Sequence, residues 1–123
     1  VNPILTKNYK AEAALAAYRI VKPGTADNQV VLAAAVGDAL IGVTNEVAAA
    51  INERADIIHA GIAEIEAGGA ITRGDWLTTD ANGKAVAAAP AAGVNNNVIG
   101  RALVNAASGD IFVALIAPGR IQG

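Results

Sequence analysis

Residues 56–88 read DIIHAGIAEIEAGGAITRGDWLTTDANGKAVAA, and the conformation of this stretch decides the fold. An apolar run, Ile57 to Ile65, is closed by Gly68-Gly69. A shorter one, Ile71 with Trp76-Leu77, leads through the turn signal Asp80-Ala81-Asn82-Gly83 into Lys84-Ala85-Val86-Ala87. Apolar runs broken by glycines and a short Asn-Gly turn are the pattern of a small antiparallel β domain. Periodicity alone leaves the first run open, because Ile58, Ile62 and Ile65 also fall at the i, i+4, i+7 spacing of a helix. Two features decide for a strand: Gly61 in mid-run, and four isoleucines in nine residues, whose branched Cβ atoms lose rotamer freedom in a helix. As a strand, Ile57, His59, Gly61, Ala63 and Ile65 share one face. The other face starts with Ile58, Ala60 and Ile62 and turns polar at Glu64 and Glu66. Burial on both faces at one end and solvation at the other is the expectation.

Working outward to the N-terminus, Leu15–Val21, Asn28–Ala35 and Ala39–Thr44 are strand candidates, separated by Pro23-Gly24 and Gly37-Asp38. Glu46–Glu53 is either a short helix or a loop across the end of a barrel. Toward the C-terminus, Ala85–Ala92 with Pro90 is a weak edge strand. Gly93–Asn97 is a polar turn and Val98–Val104 a further strand. Asp110–Ala117 is apolar on both faces, so it is central or at an interface, and Pro118-Gly119 ends it. Gly-Asp pairs at 37–38, 74–75 and 109–110 suggest corners in which the aspartate bonds nearby backbone. Residues 1–14 stand apart. Pro3 bars a regular start, Asn2, Thr6, Asn8 and Lys10 are polar, and Ile4, Leu5 and Tyr9 are the apolar residues that a neighbour could bury. The expected architecture is all-β: a small β-barrel-like domain over residues 15–123, an extended N-terminal arm over 1–14, and at most one short helix.

A chain of 123 residues is one domain by size and buries about two-thirds of its unfolded surface, enough for a core without staples. It has no cysteine, which excludes disulfides and thiolate chemistry. Hydrophobic residues make up 54% but aromatics only 3%, with alanine supplying much of the rest. Such a composition suits thin, closely approached layers and subunit contacts better than a roomy pocket. No apolar stretch nears the ~20 residues of a membrane span, and no signal-peptide pattern opens the chain, so neither a membrane nor secretion is expected. Net charge is −2 but unevenly placed. Residues 1–22 carry Lys7, Lys10, Arg19 and Lys22 against Glu12, whereas residues 27–80 hold nine acids against Arg54 and Arg73. This is either an arm-and-surface pairing between subunits or solvated charge. With no basic patch and no set of stacking aromatics, nucleic acid is not an expected partner.

Candidate chemistry is sparse. The single histidine, His59, cannot build a histidine metal cluster, and its place on an apolar face is that of a hydrogen-bonded core or interface residue. Ser108, the only serine, lies in a Ser-Gly-Asp turn without a nucleophile-elbow context. Glu64 and Glu66 share a strand face and have the form of a carboxylate pair, although a solvated edge is the plainer account. No Gly-Lys-Ser/Thr phosphate loop occurs. Trp76 is a lone aromatic, a sugar platform only with partners and otherwise an anchor in the core or a subunit interface, as is Phe112. No catalytic residue, cofactor site or metal site is expected, and the protein is not expected to be an enzyme.

The run AGIAEIEAGGAITRGDWLTTDANGKAV at 60–86 resembles tailed-phage head decoration proteins, also called capsid cement proteins. So do IGRAL at 99–103, GDIFVALIAPG at 109–119 and the opening NPILTKNYKAEAALAAYRIVK at 2–22. The resemblance covers nearly the whole chain and is most specific from Glu66 to Lys84. It implies a small β-rich barrel or β-tulip-like body on the outer surface of a phage capsid, made in the host cytoplasm. There it would bind the major capsid protein and stabilise the shell, as a homotrimer at three-fold and quasi-three-fold positions. It carries no catalytic motif. On this reading Asn2, Pro3, Ile4, Leu5 and Tyr9 of the arm contact capsid or subunit, and His59, Trp76 and Phe112 anchor the core or the trimer interface. The alternative is a surface-displayed binding module whose loops, Thr25–Asn28 or Gly93–Asn97, meet host-surface glycans.

Overall fold

A computed structural model describes residues 2–123, and within them the chain is all β with no helix. Nine strands follow in order: β1 (Asn2–Ala11), β2 (Ile20–Pro23), β3 (Gln29–Leu32), β4 (Gly42–Thr44), β5 (Arg54–Glu66), β6 (Trp76–Thr79), β7 (Ala85–Ala87), β8 (Asn95–Ala102) and β9 (Ile111–Gln122). They form one sheet that rolls up on both sides of β5. In one direction the neighbours run β5-β4-β2-β3-β1, and β1 returns to pair with β5, closing a five-stranded ring. In the other they run β5-β9-β8-β6-β7, and the parallel bridge Ala67–Ala85 ties β7 back to the end of β5.

The strand quoted first is therefore the shared wall of two cores. Ile57 belongs to a smaller cluster with Ala11, Leu15, Val21, Val30, Ala49 and Ala55. Ile58, its neighbour on the opposite face, belongs to a larger one with Ala63, Ile65, Leu77, Ile99, Phe112 and Ile116. Each buried isoleucine or leucine contributes about 1.5–3 kcal/mol. Alanine has its own place in the larger core. Ala63, Ala114 and Ala102 stand side by side across β5, β9 and β8, all buried, where only small side chains fit a narrow interior.

The predicted two-face pattern of β5 holds at Ile57-Ile58 but is interrupted at His59. Leu5 pairs with Ala60 and Thr6 with Ile58, which leaves His59 as an extra residue on β5. Pro3 pairs with Gly61 and Leu5 with Ala60, which leaves Ile4 as an extra residue on β1. The two bulges compensate, so the register downstream is restored. A one-residue bulge exchanges the faces. This is why even-numbered Ile58 and odd-numbered Ala63 and Ile65 share one core. Gly61, at φ +107°, lies under the crossing of β1, and a Cβ there would meet Asn2 O at 2.5 Å and Ile4 N at 2.6 Å. It is required by a close backbone approach.

Several expectations need correction. The first body strand begins at Ile20, not Leu15. Leu15 makes one bridge to Ala49, and Tyr18 between them takes φ 59°. Of the two alternatives for Glu46–Glu53 the loop is the one found, with Ala49 bridging Leu15 and Glu53 Oε1 accepting the Ala50 N–H at 2.7 Å. Asn95–Asn97 is strand, not turn. Pro118-Gly119 does not end the last strand, which continues to Gln122. Between the pairs Gly100–Ile116 and Val98–Gly119, β9 holds one residue more than β8, and this bulge accommodates a proline that has no N–H to donate. The Gly-Asp corners form, but each aspartate reaches backward. Asp38, Asp75 and Asp110 accept the N–H of Ala35, Thr72 and Ala107, three residues earlier, at 2.9–3.0 Å.

Candidate functional site

β1 is the most exposed strand of the molecule. Seven of its ten residues are exposed, and only Ala11, at its end, is buried. Ile4 is 83% exposed because its bulge thrusts it out of the ladder, and Leu5 is 56% exposed beside it. Asn2 and Pro3 are exposed as well. The strand is held by its ladder to β5 and by polar clasps. Lys7 Nζ donates to Asn28 Oδ1 at 2.9 Å and lies 4.0 Å from the Tyr9 ring centroid. Asn8 donates to Asp56 Oδ1 at 3.1 Å and accepts from Arg54 Nε at 2.5 Å. Lys10 N–H turns to Asn28 O and Ala11 N–H to Glu53 O. Alternate backbone groups of a strand point to opposite edges. The groups of Thr6 and Asn8 therefore face away from β5, along an edge that β3 covers only at Lys10 and Ala11.

Tyr9 and His59, fifty positions apart in the sequence, meet. The Tyr9 hydroxyl lies 2.7 Å from His59 Nε2, and His59 Nδ1 lies 2.7 Å from the carbonyl oxygen of Ile41. A carbonyl only accepts, so the Nδ1 proton is donated to Ile41. In the neutral imidazole Nε2 is then the acceptor and the Tyr9 O–H the donor. The histidine bulge thereby fastens β1 to the turn before β4. Both ring nitrogens are occupied, which leaves no free lone pair for a general base or a metal.

Beside this pair lies a groove of about 570 Å³. Tyr9, His59, Leu40 and Ile41 line it together with Pro118 and the loop from Pro23 to Gln29. Glu12 Oε1 pins that loop by accepting from Thr25 N at 2.6 Å and Thr25 Oγ1 at 2.5 Å. The Thr25 hydroxyl, then its N–H, holds the Glu12 carboxyl below the usual range. Asn28, at φ 60°, takes the left-handed conformation that asparagine tolerates.

On the other side of the molecule, β9 presents one buried face (Phe112, Ala114, Ile116) and one open face. Ile111 and Leu115 are 42% and 41% exposed. The register extends that open face into a row, Ile62–Leu115–Arg101–Trp76, across β5, β9, β8 and β6. Leu103 at 38% exposure and half-buried Val113 adjoin it. The Arg101 guanidinium stacks 4.0 Å from the ring centroid of half-buried Trp76. Of the expected anchors, Phe112 lies in the larger core, Trp76 on this outer face, and His59 in the clasp under β1.

Glu64 and Glu66 do not form a carboxylate site. Glu66 instead joins Arg19 at 3.3 Å and Lys84 at 3.0 Å, tying the end of β5 to the β6–β7 turn, where Arg19 Nη1 also donates to Asn82 O. The Lys84 hydrogen bond, assisted by Arg19, holds the Glu66 carboxyl below the usual range. Among the described residues no cluster of His, Asp and Glu has the form of a metal site. The open face of β9 was foreshadowed by its two apolar sides in sequence. The groove was not, because its lining runs from residue 9 to residue 118.

The chain matches the model of the phage cement protein family over residues 3–116, from β1 into β9. Its fold is similar to the crystal structure of the N base of head fiber gp8.5 in bacteriophage phi29. The TM-score is 0.72 at 20% identity, over 97% of this chain and 98% of that chain. No curated protein sequence matches it. The protein belongs to the phage cement protein family, structural proteins associated with the phage capsid.

Proposed function

We propose that the protein binds the outer surface of a phage capsid, contacts the major capsid protein through β1, and stabilises the shell as a homotrimer at three-fold and quasi-three-fold positions. The observation that carries this reading is the display of Ile4 and Leu5 on a strand already ordered in the free chain. A flexible arm loses conformational entropy on docking. Here the ladder to β5 has already met that cost, so burial of two aliphatic side chains goes to affinity, at about 1.5–3 kcal/mol each. That is weak for one copy. Linked copies gripping one shell multiply it through effective concentration. The open face of β9 is the candidate for contact between copies. It exposes Ile111, Leu115 and Leu103, and Trp76 and Arg101, residue types enriched at interfaces, are stacked beside them.

The test is a binding series on capsids that lack this protein. Replacing Ile4 and Leu5 together by serine is expected to leave the fold intact and to reduce capsid occupancy at least tenfold, by the burial energies above. Replacing Leu115 by lysine is expected to lower the oligomeric state seen in sedimentation while the monomer stays folded. Full occupancy by the serine variant removes β1 from the reading, and an unchanged oligomer in the lysine variant removes the β9 face.

A further inference from the structure

We infer that the groove between the Thr25–Asn28 loop and the Tyr9–His59 pair is a binding site for a neutral saccharide, a role separate from attachment to the capsid. A volume of about 570 Å³ falls within the ~300–1,000 Å³ of small-ligand sites. Its walls are fixed before any ligand arrives. Glu12 holds Thr25, Lys7 and the Lys10 N–H hold Asn28, and the Tyr9–His59–Ile41 chain holds the floor. Against these tied groups, the Asp27 carboxylate and the half-buried Gln29 carboxamide have no side-chain partner among the described residues. A preformed wall with free polar groups at its rim binds at low entropic cost.

The chemistry of the lining selects the ligand class. No lysine or arginine lines the groove, and the charged side chain in its lining is the Asp27 carboxylate, which disfavours an anion. The free groups are a carboxylate and an amide, which suit a ligand rich in hydroxyl donors. Leu40, Ile41 and Pro118 supply apolar surface for the C–H faces of a sugar ring. The site binds and does not cleave. Hydrolysis of a glycoside needs two carboxyl groups across the bond, and Asp27 is the only one in the lining. Nor does His59 substitute, since both its nitrogens are hydrogen-bonded.

The test titrates the full chain with methyl glycosides of glucose, galactose, rhamnose and N-acetylglucosamine and with their disaccharides, and follows backbone amide and His59 ring NMR signals. At least one glycoside is expected to shift the amides of Thr25–Gln29 and Ile41 and the His59 ring. Asp27→Ala is expected to weaken that glycoside about tenfold, the loss of a hydrogen bond to a charged acceptor. Gln29→Ala weakens it less, and both variants still occupy capsids fully. Absence of shifts with every glycoside, shifts confined to another surface, or unchanged affinity in Asp27→Ala each overturn the inference. Loss of capsid occupancy in Asp27→Ala also overturns it, by making the groove part of the capsid contact.

Discussion

β1 and β9 both run antiparallel to β5, one along Arg54–Ile62 and the other along Gly61–Glu66. β9 drives Phe112, Ala114 and Ile116 into the larger core and leaves its other face bare. β1 buries almost nothing along its length and relies on ladder hydrogen bonds, bulges and polar clasps. Net hydrogen bonds contribute about 0.5–1.5 kcal/mol each, and exposed polar pairs less, whereas a buried phenylalanine or isoleucine contributes several times that. β9 is therefore part of the cooperative body. β1 is an ordered surface element, predicted to open at lower free energy than β9. On the proposed reading, the molecule separates the strands that make its core from the strand that docks.

The largest effect is expected from Phe112→Ala, which leaves a cavity beside the alanine row of β9. A loss of about 3–5 kcal/mol in urea denaturation is predicted, with β1 and β9 lost together. Gly61→Ala breaks the comparison from the other side, since a Cβ meets the backbone of Asn2 and Ile4 at positive φ. It is predicted to cost about 1–3 kcal/mol and to speed hydrogen exchange in residues 2–5 while β9 amides keep their protection. Equal loss of protection in both strands would show that β1 is part of the body. Tyr9→Phe removes the hydroxyl from His59 Nε2 and is predicted to cost about 1 kcal/mol, with exchange enhanced in β1 alone.

The smallest effect is on pH dependence. Glu66, Asp38 and Glu12 have folded pKa values below their ordinary ones, through Lys84, the Ala34 N–H and Thr25 respectively. The unfolded chain therefore takes up these protons at higher pH than the folded one. Their contribution is complete above the usual carboxylate range and is lost as pH falls from that range through the lowered folded values. The denaturation midpoint is predicted to be flat from neutral pH to about 5 and to decline below about 4.5, modestly because all three carboxyls are only partly buried. Lys84→Ala is predicted to flatten that decline by removing the strongest influence on Glu66.

Most of the body was legible in the sequence because its signals are local. Gly61 and the isoleucines of 57–65 decide strand over helix within one segment, and Asp80–Gly83 closes its hairpin by turn chemistry alone. The paired bulges were not legible. Whether Ile4 and His59 drop out of register depends on two strands some fifty positions apart, and nothing near either residue encodes it. Pro118-Gly119 misled for the same reason, since a proline that stops an isolated strand is tolerated where its partner strand allows a bulge. The docking surfaces were half legible. Ile4 and Leu5 stood out as apolar residues in a polar arm, and both faces of Asp110–Ala117 were apolar. The partnership of Tyr9 with His59, and the groove beside it, arises only from the closure of the first ring.

The central claim is that the chain's function lies in attachment of its surfaces to a phage shell. Imaging capsids that lack this protein, before and after adding the purified chain, tests it most directly. The account predicts added density outside the shell at the three-fold and quasi-three-fold positions, with β1 against the major capsid protein and a higher disruption temperature for the decorated particles. Capsids that stay bare, or that gain density without β1 at the contact and without added stability, would contradict it.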